Sequence, residues 1–184
     1  MTRFLKCTSA CAVALACSSA FAFELTSPDV KATGSIDNKH VFKGFGCEGG
    51  NLSPALNWKD APAGTKSFAL MVHDPDAPTG GAGWWHWVVY NLPAGTTSLP
   101  QGAGAADGKA MPAGTVQQKT DFGAPGWGGP CPPAGDKPHH YNFTLYALKV
   151  EKLEVPPDAT ASLIGFVVNA NALAHAKLTG MYGR

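Results

Sequence analysis

The chain has 184 residues, 14 of them basic and 13 acidic, and 45% of its side chains are hydrophobic. That is enough apolar material for the core of one domain, and it excludes a disordered chain or a polybasic nucleic-acid or membrane-surface binder. The 22 glycines and 15 prolines, about a fifth of all residues, demand many turns and favour a β-rich fold over a helical bundle.

Residues 1–22 read as a secretory leader. Met1-Thr2-Arg3-Phe4-Leu5-Lys6 is a short basic start, Cys7 to Ser19 is small and apolar, and Ala20-Phe21-Ala22 has the A-x-A form of a cleavage site. The apolar run is too short and alanine-rich to span a membrane. A lipoprotein anchored at Cys17 is the alternative, although Ala14-Leu15-Ala16 fits a lipobox poorly. The expectation is a periplasmic or secreted chain without stable membrane insertion, forming one domain over 23–184. Without Arg3 and Lys6 the basic residues fall one below the 13 acidic ones, so no nucleic-acid partner is expected. Cys7, Cys11 and Cys17 leave with the leader. Cys47 and Cys131 then sit in an oxidising compartment and are expected to pair, a free Cys131 thiol being the alternative. Neither belongs to a CxxC pair, so no zinc site is expected from them.

Phe23–Val30 and Asn38–Phe42 read as short strands, with a loop over Phe45–Asn51. Ser53–Trp58 and Lys66–Val72 follow. The unbroken run Phe68-Ala69-Leu70-Met71-Val72 predicts a strand buried on both faces. Trp84–Asn91 is a second such strand. After a loop over Gly102–Gly114, Thr115–Thr120 is a short strand candidate. Tyr141–Val150 alternates cleanly. His139, Tyr141, Phe143, Leu145 and Ala147 share one face, and His140 belongs to the other. Pro156-Pro157-Asp158 reads as a helix start with Asp158 as N-cap, and Leu163, Phe166, Val167, Ala170 and Leu173 recur at helical spacing. The spacing predicts a helix over Ala159–Ala176, with fraying or a turn near Gly180 and Gly183. The outline is a mainly β, two-sheet sandwich with a C-terminal helix.

Three stretches carry candidate chemistry. Asp74 precedes Pro75, which holds it extended at a strand end, and Asp76 stands between Pro75 and Pro78. Two close carboxylates would disfavour double ionisation, leaving one protonated as a donor; the alternative is that both accept turn hydrogen bonds. His86 lies inside the apolar Trp84-Trp85-His86-Trp87, where it is either a satisfied core residue or part of a pocket wall. Gly126 to Pro133 matches no Walker or dinucleotide loop, yet glycine-rich backbone can aim amides at an anion. His139 and His140 are adjacent on a strand and point apart, so they cannot readily chelate one metal together. A metal site from Asp74, His86 and His139 is geometrically possible. No nucleophile–base motif stands out.

The ordered set Gly44–Pro54, Asp74-Pro75-Asp76-Ala77-Pro78, Trp85–Asn91, Gly128-Gly129-Pro130-Cys131-Pro132-Pro133 and His139-His140-Tyr141 resembles the phosphatidylethanolamine-binding protein (PEBP) family. The resemblance covers essentially the whole chain after the leader. It is nearest to the exported members of the bacterial, Raf-kinase-inhibitor-like YbhB/YbcL branch. It implies an antiparallel two-sheet sandwich with a small anion pocket at one end. The family's pocket positions fall on Asp74, Asp76, His86, His139 and Tyr141, with backbone from Gly129, Pro130 and Cys131. In the eukaryotic branch of the family the chain often ends in a further helix beside the pocket, whereas this sequence stops at Arg184, soon after the predicted helix.

The resulting expectation is a non-enzymatic binding protein without a cofactor, taking a small anionic or phosphorylated headgroup. A protein-interaction module, an inhibitor of a hydrolase or kinase or an effector, is the alternative. A metal-assisted hydrolase using the Asp and His groups is the third reading. The tryptophan-rich stretch Trp84–Trp87 could equally serve a core or a homodimer.

Overall fold

The computed structural model describes residues 22–184, so the leader reading lies, apart from Ala22, outside the described residues. Ten strands and one α-helix follow in the order β1 (Glu24–Thr26), β2 (Lys43–Gly44), β3 (Cys47–Glu48), β4 (Leu56–Lys59), β5 (Ser67–Asp74), β6 (Trp84–Pro93), β7 (Ser98–Leu99), β8 (Val116–Gln117), β9 (His139–Leu148), α1 (Ala161–Asn171) and β10 (Ala172–Tyr182). They build a five-stranded sheet in the order β10-β9-β5-β6-β8, a three-stranded sheet β1-β4-β7 and a two-stranded β2-β3 hairpin. Every strand pair is antiparallel.

The five-stranded sheet is the middle layer. Phe68, Leu70 and Val72 of β5 join Leu25, Trp58, Trp87 and Phe143 in the core shared with the small sheet. Ala69 and Met71, on the opposite pleat, pack with Val88, Ile164 and Val168 under α1. The unbroken apolar run of β5 thus has apolar partners on both sides, which is why it does not alternate. Strand β9 is covered on one face more than the other. His139, Tyr141, Phe143, Leu145 and Ala147 are buried, while His140 is exposed.

The structure corrects three local expectations. Asn38–His40 is a 3-10 turn, not a strand. Asp37 caps it by accepting from the Lys39 N–H, and buried His40 donates from Nδ1 to the Leu52 carbonyl at 2.6 Å. The helix begins later than Asp158. Thr160 is its N-cap, accepting from the Leu163 N–H, while Pro156–Ala159 closes a turn through Ala159 N–H to Pro156 O. The helix also stops at Asn171, and Ala172–Tyr182 is an edge strand pairing with β9 from Ala172↔Leu148 to Tyr182↔His139. Alanine's helix propensity across 170–176 yields there to the open edge of β9, which offers a row of backbone partners. This last strand delivers Gly183 and Arg184 to the end of the sheet where the polar side chains collect.

Candidate functional site

Three strands of the central sheet bring their polar ends together. Asp74 closes β5, Trp84 opens β6 directly opposite it, and His139 opens β9. His86 follows Trp84 by two residues and therefore shares its pleat. These residues, with Phe45, Phe122 and the Cys131–Pro133 segment, line a cavity of about 310 Å³. Among the described residues no lysine or arginine lines it.

The hydrogen bonds fix what each polar group can offer. Asp74 is 3% exposed. Its Oδ1 accepts from the Asp76 N–H at 2.8 Å and its Oδ2 from His139 Nδ1 at 2.7 Å. His139 Nε2 lies 3.5 Å from Asp136 Oδ2. His86 and Gly128 are clamped reciprocally. Nδ1 donates to the Gly128 carbonyl at 2.6 Å, and the Gly128 N–H donates back to the His86 carbonyl at 2.9 Å. Because a carbonyl can only accept, the proton of neutral His86 sits on Nδ1 and Nε2 carries a lone pair. Burial holds the His86 pKa down to about 4, against the opposing pull of the Gly128 carbonyl and Asp74. At neutral pH the ring is uncharged and its open nitrogen is an acceptor.

The glycine-rich wall is shaped by close approach more than by open amides. A Cβ on Gly128 would overlap the Phe122 ring, and one on Gly129 would strike the His40 carbonyl. The Gly129 N–H is already used, donating to Asn51 Oδ1 at 2.8 Å. Pro130 has no N–H, and its carbonyl accepts from Phe42 at 3.0 Å. Neither residue lines the cavity. Cys131 does, and no partner for its N–H is found among the described residues. Trp84 lines the cavity too, and its indole N–H is buried without a partner. Cys131 is joined to Cys47 by a disulfide.

Two further expected residues stand outside the cavity lining. Asp76 pairs with His140, its Oδ2 accepting from both the backbone N–H and Nδ1 at 2.7 Å. Burial works to raise the Asp76 pKa, but these hydrogen bonds and the nearby imidazoles lower it on balance. The two acids thus do not share a proton; each has its own histidine. Tyr141 is fully buried behind His86, its ring perpendicular to the imidazole at 5.0 Å, with its hydroxyl unpaired. Burial, reinforced by Asp74, pushes its pKa up.

Composition and spacing pointed to neither Phe122 nor Arg184. Phe122 is an aromatic hub in a turn, touching Phe42 at 4.3 Å, His86 at 5.3 Å, Trp84 at 5.5 Å and Phe45 at 6.0 Å between centroids. The tryptophan stretch divides between roles. Trp84 borders the cavity, Trp85 packs at a tilt against His73, and Trp87 is wholly in the core. Among the described residues, no three His, Cys, Asp or Glu side chains are placed to hold a metal ion.

Comparison with known proteins agrees with this architecture. The family model described as phosphatidylethanolamine-binding protein matches residues 26–183. The UPF0098 protein YbcL of Escherichia coli (strain K12) is 54% identical over 163 residues, covering 89% of this chain and 88% of YbcL. The UPF0098 protein YbhB of the same organism is 48% identical over 159 residues, covering 86% of this chain and 99% of YbhB. The crystal structure of E. coli YbcL, described as a new member of the mammalian PEBP family, superposes with a TM-score of 0.85 at 53% identity, covering 88% of this chain and 98% of that one. With the family model matching nearly the whole described length and a relative 54% identical over most of the chain, the chain belongs to the phosphatidylethanolamine-binding protein family.

Proposed function

We propose that this protein is a non-enzymatic binding protein whose cavity takes a small phosphoryl or carboxyl headgroup carrying its own proton. The observation that carries the reading is the His86–Gly128 clamp, which leaves Nε2 as an acceptor at neutral pH. A fully ionised phosphate offers no proton to that nitrogen and meets the Asp74 carboxylate nearby. A monoprotonated phosphoryl group offers one O–H and several acceptor oxygens. The oxygens suit the open N–H of Cys131 and the indole N–H of Trp84, whose burial without a partner is otherwise costly. The donor set is thus smaller and more selective than a ring of loop amides. The disulfide and the A-x-A leader favour an exported location.

Calorimetric titration with a phosphate monoester, methyl phosphate, tests this. A monoester loses its last proton at about pH 6, so binding is expected to be strongest at about pH 5.5 and at least tenfold weaker at about pH 8.5. Equal or tighter binding at the alkaline pH would overturn the reading. His86→Gln, which keeps a donor for the Gly128 carbonyl but removes the imidazole lone pair, is expected to weaken binding at the lower pH.

A further inference from the structure

Among the described residues the side chain of Arg184 meets carbonyls and no carboxylate. Its Nε–H donates to the Pro132 carbonyl at 2.7 Å and its Nη1 to the Gly46 carbonyl at 2.7 Å, while Nη2 reaches the Phe45 carbonyl at 3.4 Å. Its own carbonyl accepts from the Gly135 N–H at 3.0 Å. The acceptors belong to two segments far apart in sequence. One carries Phe45 and the other carries Cys131, Pro132 and Pro133, and both line the cavity. A planar guanidinium with five donors can serve several carbonyls at once, whereas a lysine ammonium acts as a compact charge on a flexible stem.

The Phe45 segment needs an external hold. Phe45 has φ +52°, unusual for a bulky residue, and its ring is 70% exposed at the cavity mouth. Gly46 is also left-handed, at φ +78°. The same two segments are linked by Cys47–Cys131, one residue from the Gly46 carbonyl on one side and one from the Pro132 carbonyl on the other.

We propose that Arg184 is a positioning residue: it clasps the Phe45 segment against the Pro132 wall, fixes the cavity mouth, and is thermodynamically coupled to the disulfide. Two ties across one gap support each other. With the clasp in place, the two sulfurs are held near each other even when reduced. With the disulfide in place, the carbonyls stay within the reach of the guanidinium. Coupling of this kind is reciprocal.

Equilibration with dithiothreitol measures it without any ligand. Each protein disulfide opens to two thiols as one dithiothreitol closes to its cyclic disulfide, and alkylation followed by mass spectrometry counts the thiols. Arg184→Ala is expected to make the disulfide about tenfold easier to reduce, about 30 mV for a two-electron couple. Arg184→Lys is expected to fall between that variant and the wild type. An unchanged reduction equilibrium in Arg184→Ala overturns the clasp, even if that variant melts at a lower temperature. A second arm rests on the proposed anion reading. Methyl phosphate at about pH 5.5 is expected to bind oxidised Arg184→Ala about tenfold more weakly, the worth of roughly one lost hydrogen bond, with partial rescue in Arg184→Lys. Unchanged affinity there overturns the role at the mouth. If the wild type itself binds no methyl phosphate, the anion reading falls and the reduction equilibrium alone decides the clasp.

Discussion

His86 shows how a single buried ring ties the site to stability. Its folded pKa of about 4 lies below the ordinary histidine value of 6.5, because burial disfavours the imidazolium. Between those two values the unfolded chain binds the proton and the folded one does not, so stability falls as pH drops through this window and levels off beneath it. The full span corresponds to about 3 kcal/mol. The groups that face the ring set the balance. Asp74 and the Gly128 carbonyl favour the proton, while His73 opposes it. Asp29 acts in a lower window. Burial works to raise its pKa, but its hydrogen bonds with Lys39, the Ala55 N–H and Gln101 hold it at about 2, below the ordinary aspartate value of 3.8. Urea unfolding at several pH values separates the two. Wild type is expected to lose most of that 3 kcal/mol on going from pH 6.5 to about 4, and His86→Gln is expected to show a much flatter profile over the same range. Identical slopes for the two proteins would remove His86 as the cause.

At the level of elements, the cap of α1 offers a direct check on the corrected helix start. Thr160 accepts from the Leu163 N–H, whereas Asp158 is exposed and outside the helix. Thr160→Ala is expected to cost about 1 kcal/mol, as cap removals do, and Asp158→Ala less than about 0.5. Equal losses in urea titrations would return the cap to Asp158. The same contrast explains what the sequence made legible. Lys66–Val72 and Tyr141–Val150 declared themselves because burial on two faces, or on one, writes itself directly into the pattern of apolar residues. Ala172–Tyr182 did not, since its reason for being a strand is the edge of β9, and alanine-rich sequence favours helix locally. The site divides along the same line. Asp74, His86 and His139 are strand residues whose spacing and family motif indicated a shared end. Asp76 belongs to the loop that follows, and its partner His140 depends on how two strands end side by side. Phe122 sits in a turn without periodicity, and Arg184 reaches the site through a strand that reads as helix. The glycine loop suggested open amides, but those of Gly128 and Gly129 are taken by the His86 carbonyl and Asn51, leaving that of Cys131.

Across the whole molecule, the chain relies on pairings between distant segments: β5 lies between β6 and β9, and α1, the one α-helix among the described residues, is a single short element. Such a topology leaves a large, loosely constrained unfolded ensemble, because little local structure survives without the long-range contacts. A disulfide at a sequence separation of 84 acts most strongly on that ensemble. The chain-entropy argument puts its contribution at about 4 kcal/mol, an upper expectation where unfolded chains retain structure. The native geometry has other ties across the same gap. Phe42 donates to the Pro130 carbonyl at 3.0 Å, Gly129 to Asn51 Oδ1 at 2.8 Å, and Arg184 spans Gly46 and Pro132. Replacing both Cys47 and Cys131 by alanine is therefore expected to leave the near-ultraviolet circular dichroism of the folded protein close to wild type while lowering the urea midpoint. The denaturant slope is expected to rise, since the released chain exposes more surface on unfolding. A midpoint that does not move would mean that the crosslink adds nothing beyond these hydrogen bonds. A lowered midpoint with an altered native spectrum would place its effect in the folded walls of the cavity instead of the unfolded chain.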